Sequence, residues 1–443
     1  MSIFAEGPMH RQLPVLILAA FLAFYPSKIF SQTLSGRLTT SVYSYQQYDS
    51  LNKKSNHLRA YQLAEFAIAK GNVSFTTYLQ GSTDFFGGIE SDPHLRAYNV
   101  YLDIRRIARV ADLRLGRQLI FAGVGRSMLD GLSLKLSPYH DVTLFAYIGG
   151  LPPADGSLKS VSGGLSDNYL YGAEVTTSLI PYTRISLSYM NRHRLPESYQ
   201  ATRFDTTQPD GFRRYEFQSS STAEQYAGIN ASLQLPSRLM FYGRLDYDLN
   251  LLRPQWGELS LWIPATNKLT FTGEFVYRQP RLPYNSIFSV FDHRSNLEIR
   301  AGANYSITQR TQAFVRFGTI TYKGDNESTS TRITLGASTQ YGSFTYSKDV
   351  GFAGKMDIIS VQALYPIISR SFMLTGGISY GRYKLDPNLG PTETVLTALG
   401  GVRYQPLPTV TFDVQGQFLS NHVYSSDARI FLRGSYWFFS KLR

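Results

Sequence analysis

The chain has no cysteine, and only seven histidines and three tryptophans in 443 residues. Without cysteine there is no disulfide framework and no thiolate metal set, so stability comes from something other than cross-links. The histidines (His10, His57, His94, His140, His193, His293, His422) are scattered, and no H-E-x-x-H or G-x-S-x-G motif accompanies them. No catalytic residue, metal site or cofactor is therefore expected. Charge is also thin, at 17% of residues. Long apolar runs are missing except one near the start, "LPVLILAAFLAF" from Leu13 to Phe24. It is the length of a signal-peptide core and short of the ~20 residues a membrane helix needs. With Arg11 before it and "YPSKIFSQ" after it, residues 1–31 read as a secretory signal peptide, with Gln32 as the mature start.

Aromatic residues are plentiful: 31 Tyr and 28 Phe, with Trp included 14% of the chain. They lie in segments that alternate with period two, which puts one set of side chains on each face of a strand. In "NLEIRAGANYSI" Leu297, Ile299, Ala301, Ala303, Tyr305 and Ile307 share one face, and Glu298, Arg300, Asn304 and Ser306 share the other. "TFDVQGQFL", "NVYLDIRR" and "LMFYGRLDYDLN" repeat the pattern, with charges on the polar face. Strands of a soluble sandwich average ~5 to 6 residues. These runs last ~10 to 13, the length that crosses a bilayer at a tilt. In lipid every backbone group must be paired, so such strands close into a barrel.

Connections agree. Tight turns are expected at Lys70–Asn72, Ser137–Asp141, Ile180–Thr183, Leu235–Arg238, Pro366–Arg370 and Gln405–Pro408. Longer loops alternate with them at Leu151–Asn168, Leu195–Thr222, Gln279–Arg294 and Leu385–Pro391. Residues 32–443 thus read as an all-β protein, a single transmembrane antiparallel β-barrel of about 22 strands with short periplasmic turns and longer outer loops. The first strand is placed near Gly36–Gln47 and the last near Arg429–Phe438. If the short segments near Leu113–Ile120 and Gly342–Val350 are loops, the count falls to 18 or 20.

The last strand, "ARIFLRGSYWFF", places Ile430, Leu432, Tyr436 and Phe438 on one face. It resembles the C-terminal assembly signal of Gram-negative outer-membrane porin-like barrels, although "SKLR" follows the aromatic end. Tyr436 and Phe438 carry that signal, and the resemblance implies recognition by the barrel-assembly machinery. "LRLGRQ" and "LDGLSLKL" also resemble hairpins of porins and, more loosely, of alginate-export-type barrels. The resemblance implies a bacterial outer-membrane channel in which solutes pass through a lumen narrowed by inward loops and charged wall residues.

Within that segment Leu113 and Leu115 alternate with Arg114, and Leu132, Leu134 and Leu136 alternate with Ser133 and Lys135. The same register puts Arg117 on the lipid side, which costs ~2 to 4 kcal/mol near the bilayer midplane. A bulge or strand end at Gly116 is therefore expected. Beyond it "FAGVGRSMLDG" has glycines for bends. Two readings stand: a constriction lined by Arg114, Arg117, Arg126, Asp130 and Lys135, or mutual pairing of Arg117, Arg126 and Asp130 that only pins the loop. Without the P-loop lysine and a following helix, the glycines do not read as a phosphate cradle.

Other pore-lining candidates are Arg244, Asp246, Arg300 and Arg433 on polar faces. Net charge is +12, yet the inward charges nearly balance, so both anion preference and a non-selective pore stay open. Aromatics at strand ends (Tyr277, Tyr305, Tyr322, Phe412, Phe438) read as interfacial girdles rather than sugar- or base-stacking platforms. The apolar "SIFSVF" in the Arg278–Arg294 loop folds into the mouth, latches a neighbouring subunit, or packs over the rim.

Three function classes remain: a channel for small hydrophilic or charged solutes, a sheath or secretion component whose lumen is filled by a partner protein, and a structural or adhesive barrel. Outer-membrane lipid and lipopolysaccharide are expected partners, homo-oligomers are allowed, and nucleic acid and catalysis are not expected.

Overall fold

The computed structural model describes residues 32–48, 54–86, 95–158, 164–195, 198–204, 212–217, 221–280, 294–324, 327–368, 371–386, 390–424 and 426–442. They are all-β. The strands are β1 (Gln32–Tyr48), β2 (Lys54–Lys70), β3 (Val73–Asp84), β4 (Leu95–Ile107), β5 (Ala111–Ala122), β6 (Gly125–Tyr139), β7 (Val142–Gly150), β8 (Asn168–Thr177), β9 (Thr183–Arg194), β10 (Tyr199–Phe204), β11 (Phe212–Phe217) and β12 (Glu224–Gln234). They continue with β13 (Met240–Asp248), β14 (Arg253–Pro264), β15 (Leu269–Arg278), β16 (Ser295–Thr308), β17 (Thr311–Lys323), β18 (Ser328–Thr339), β19 (Gly342–Gly351), β20 (Gly354–Ile368), β21 (Phe372–Lys384), β22 (Glu393–Leu407), β23 (Val410–Asn421) and β24 (Asp427–Leu442).

Twenty-two of them form one antiparallel ring in chain order, with β9 passing to β12 and β24 returning to β1. The closing ladder runs from Gln32↔Leu442 to Ser44↔Ile430. "SKLR" is thereby accounted for: Ser440, Lys441 and Leu442 extend the last strand to pair with the start of the first. The two doubtful segments are both strands, β5 and β19. With strands ~4.8 Å apart and tilted ~40°, a ring of 22 measures about 44 Å across its backbone, too wide for side chains to fill.

The two faces follow the alternation. Ile148, Leu187, Ile299, Phe317, Ile378 and Ile430 point outward and are each more than half exposed. The inner face is polar and cross-linked by ion pairs, among them Arg332–Asp349 at 2.6 Å and Arg429–Asp427 at 2.6 Å. Such pairs hold a wet wall in register.

One end carries short turns at the expected sites, except that the Pro366–Arg370 site lies partly outside the described residues, and the other carries the longer connections, but the alternation is imperfect. Gly123–Val124 between β5 and β6, and Phe352–Ala353 between β19 and β20, are two-residue turns at the loop end. The stretch read as a loop from Leu195 to Thr222 holds a separate hairpin, β10–β11, whose six-residue strands are too short to show a period in sequence. Tyr322 is not part of an outer girdle. It shares the inner face with Arg316 and its ring lies 5.4 Å from that of Phe352, because β17 places even-numbered residues inside. "SIFSVF" and the 1–31 segment lie outside the described residues.

Candidate functional site

The site is built where β5 and β6 leave the wall. The β4–β5 ladder ends at Val100↔Arg117 and the β6–β7 ladder begins at Asp130↔Gly150, while β5 and β6 stay paired to Ala122↔Gly125. Residues 118–129 therefore form a hairpin detached from both neighbouring strands. It folds into the lumen, because its tip meets inner-face residues of non-adjacent strands: the Val124 N–H donates to Ser188 Oγ of β9 at 3.1 Å, and Gly228 of β12 lies under the Val124 side chain.

A row of glycines makes the bend. Gly116 sits at φ +122°, and a Cβ there would lie 2.3 Å from the Val100 carbonyl oxygen. Its cross-strand partner Gly131 is as tight, with the Ile148 carbonyl oxygen 2.2 Å from where a Cβ would stand. Only glycine tolerates both the dihedral and the approach. The register break expected at Gly116 is thus real, but it is a parting from β4 and not a strand end.

Apolar contact then holds the hairpin down. Ile120, Ala122, Val124 and Leu129 form the hairpin side of a buried cluster, and Tyr147 (β7), Leu151, Leu170 (β8), Met190 (β9) and Tyr226 (β12) form the wall side. These wall residues occupy inward positions that are polar elsewhere. They were the sequence signal for the docked hairpin, and reading faces strand by strand missed it. Gly228→Leu is expected to displace Val124, since even a Cβ at Gly228 would approach Val124 Cγ1 to 2.5 Å. Overpacking costs ~1 to 3 kcal/mol. Limited proteolysis at Gly123–Val124 should therefore speed up at least fivefold, and Val124→Ala added to Gly228→Leu should slow it again.

Arg117 is the hinge pin. It forms a two-pronged pair with Asp130, Nε to Oδ1 and Nη2 to Oδ2 both at 2.7 Å. Its Nη1 donates to the Ser157 carbonyl at 2.6 Å. Ser157 belongs to the segment following β7, which crosses to the upper edge of β4 through the Arg96↔Ser157 bridge and an Ala97 N–H bond to the Gly156 carbonyl at 2.9 Å. The segment covers the place in the wall that the hairpin vacates. Of the three residues of the pinning alternative, Arg117, buried to 8% exposure, and Asp130 are brought together. Arg126 does not join them: it is exposed near the tip, cross-strand from Phe121.

The free face of the hairpin, with Leu119, Phe121, Met128 and Arg126, looks into the lumen. Between tip and wall lies a cavity of about 330 Å³, lined on one side by Phe121 and Arg126 and on the other by Arg184, Asn230, Tyr242 and Arg244. Arg244 is held by Asp246 at 2.6 Å. Arg184 was not among the sequence candidates, being the second residue of β9, beside a turn, and outside any charge pattern. Arg114 and Lys135 come together lower on the wall with Asp103 and Asp112, around a cavity of about 410 Å³. There Arg114 Nε is 3.5 Å from Asp103 Oδ1, and its guanidinium lies over the Tyr101 ring. Arg300 and Arg433 belong to neither place. Arg300 pairs with Glu274 at 2.7 Å, and Arg433 shares Asp413 with Arg403 at 2.9 and 2.6 Å. The rings of Tyr436 and Phe438 lie 6.1 Å apart and tilted on the outer face of the last strand, at the turn end.

No protein-family model matches the sequence, and no curated protein matches it. Solved structures do. A mutant form of the ferric enterobactin receptor PfeA from Pseudomonas aeruginosa aligns with a TM-score of 0.58 over 91% of this chain and 80% of that one, at 10% identity. A BenF-like porin from Pseudomonas fluorescens Pf-5 aligns at 0.44 over 93% and 99%, at 9% identity. The translocation pore of the P pilus usher PapC aligns at 0.43 over 93% and 100%, at 9% identity. At these identities the likeness is one of fold.

Proposed function

We propose that this closed, porin-like barrel is a bacterial outer-membrane channel through which small hydrophilic or charged solutes diffuse passively. Residues 32–443 are the inserted barrel and residues 1–31 the export signal. The observation that carries the reading is the pairing of an apolar outer face with an ion-paired inner face around a ring wider than its side chains fill. The inward hairpin narrows that lumen from one side. A stacked sheet stands ~10 Å off the wall, so a ring of this width is constricted and not sealed by it. Arg126, Arg184 and Arg244 around the tip favour anions over cations.

The test is conductance of the purified protein in a planar bilayer under a salt gradient. Discrete, stable openings with a reversal potential on the anion side are expected, and Arg126→Gln should move that potential toward zero. A heat-resistant barrel that inserts yet stays silent would sink the channel reading.

A second reading has its own observation. Leu119 and Phe121 on the free face of the hairpin are 47% and 71% exposed inside the lumen, where a partner protein would bury them. In that case the barrel is a sheath, and a stoichiometric partner co-purifies with it and is lost on Phe121→Ser.

A further inference from the structure

The outer face of the described strands carries few charges, others such as Lys70 and Lys323 standing singly at strand ends, which makes one sector conspicuous. Three cations, Lys348, Arg382 and Lys355, are exposed at the loop end of β19, β20 and β21, and Lys384 beside them is half-buried. All four are on the outward side, in phase with Phe344, Ile359, Val361, Ile378 and Tyr380, which are exposed large hydrophobics.

Register sets them in two rows. Lys348, Asp357 and Arg382 are cross-strand neighbours, and one step nearer the rim Lys355 stands directly opposite Lys384. The carboxylate is already engaged. Asp357 Oδ1 accepts from the Tyr346 hydroxyl at 3.0 Å and lies 3.9 Å from Lys348 Nζ. Like charges directly opposite on a sheet repel unless an anion sits between them. Within these two rows one carboxylate stands among four cations, which leaves three positive charges three strands wide, with Asp386 two residues beyond Lys384 at the rim above them.

The height of the patch is informative. Tyr365, outward and exposed at the turn end of β20, stands ten residues from Lys355 on the same strand. That is ~33 Å along the strand and ~25 Å along the barrel axis at a tilt of ~40°, the height of the apolar band of a membrane barrel. If Tyr365 marks one interface, Lys355 and Lys384 stand at the other, where lipid phosphates lie. The connection above them is the two-residue turn Phe352–Ala353, so between β19 and β20 the rim is low and headgroups reach the cations from the side.

We propose that Lys348, Lys355, Arg382 and Lys384 form an exterior binding site for the phosphate groups of a phosphorylated lipid in the leaflet at the loop end. This rests on the membrane-barrel reading of the chain. Arg382 offers a planar fork and the lysines point charges, so one phosphate is held between rows and a second along the Lys355–Lys384 pair.

The experiment is native mass spectrometry of the detergent-purified full chain with bis-phosphorylated lipid A, with the same lipid enzymatically dephosphorylated, and with inorganic phosphate as competitor. A one-to-one adduct is expected with the phosphorylated lipid, weakened at least tenfold by dephosphorylation and by the triple variant K355Q/R382Q/K384Q. Equal retention of both lipids, or full retention by the triple variant, overturns the proposal. Displacement by millimolar inorganic phosphate overturns it in favour of a free-anion site. Insertion into vesicles and heat-resistant mobility are scored on the same samples. A barrel that fails to insert defeats the membrane reading, while one that inserts but shows no phosphate preference defeats only this site.

Discussion

Arg117→Ala is expected to free the inward hairpin while leaving the ring intact. The pair is partly buried, with side-chain exposures of 8% for Arg117 and 23% for Asp130. Removing one partner of a buried ion pair costs ~3 to 5 kcal/mol, because the other charge is left without compensation. Here the loss is wider, since the same guanidinium holds the Ser157 carbonyl and thereby the segment covering the wall. The damage falls on elements that hang from the barrel, so heat-resistant mobility should stay near wild type. Cleavage at Gly123–Val124 should rise by two orders of magnitude or more, and single-channel records should turn noisy. Asp130→Asn, which keeps an acceptor for the guanidinium, should lie between the two. An Arg117→Ala protein with wild-type protease resistance and quiet openings would mean that the apolar cluster around Leu129 and Met190 holds the hairpin alone.

A charge placed on the outer face has an effect of similar size on the whole barrel. Ile378, 53% exposed and near the middle of β21, faces outward, and its neighbour Ser379 faces inward with its hydroxyl 2.8 Å from that of Ser360. An arginine facing lipid at the bilayer midplane costs ~2 to 4 kcal/mol, whereas one facing a wet lumen costs little. Ile378→Arg should therefore lower the folding free energy in vesicles by that amount, measured by urea titration with electrophoretic mobility as the readout. Ser379→Arg should shift it by less than ~1 kcal/mol. Equal tolerance of the two would show that the outer face does not meet lipid.

Much of the barrel is legible in the chain because lipid and water impose opposite demands on alternate residues. "NLEIRAGANYSI" declares both faces of β16, and the register bears this out, with Glu298 and Arg300 inside beside Glu274. Turn chemistry fixes the connections at the short-turn end for the same local reason. What is not local is less legible. Whether β5 stays with β4 depends on which backbone it pairs with beyond Gly116, and alternation carries no record of partners. The bend leaves Ile120 and Ala122 packed against a wall that alternation alone would leave open to the lumen. The trace it does leave is in other strands, in Leu170 and Met190 set among inward polar residues. The aromatics behave likewise: Tyr305 is outward as its phase requires, whereas Tyr322, also at a strand end, has the opposite parity.

The place the hairpin vacates sets where the barrel is weakest. Around most of its circumference the ring is an unbroken circuit of ladder hydrogen bonds, and opening it anywhere means breaking many at once. At the level of Leu95–Asn99 the strand on one side of β4 is gone, and among the described residues its backbone ladder is replaced by one bridge and one hydrogen bond to a crossing segment that Arg117 also tethers. Local opening draws on the least-bonded element available. Fluctuations of the wall are therefore concentrated in that sector, and a barrel that lets something pass sideways into the bilayer, or begins to unzip under load, starts between β4 and β8 and not at the seam that joins its two ends.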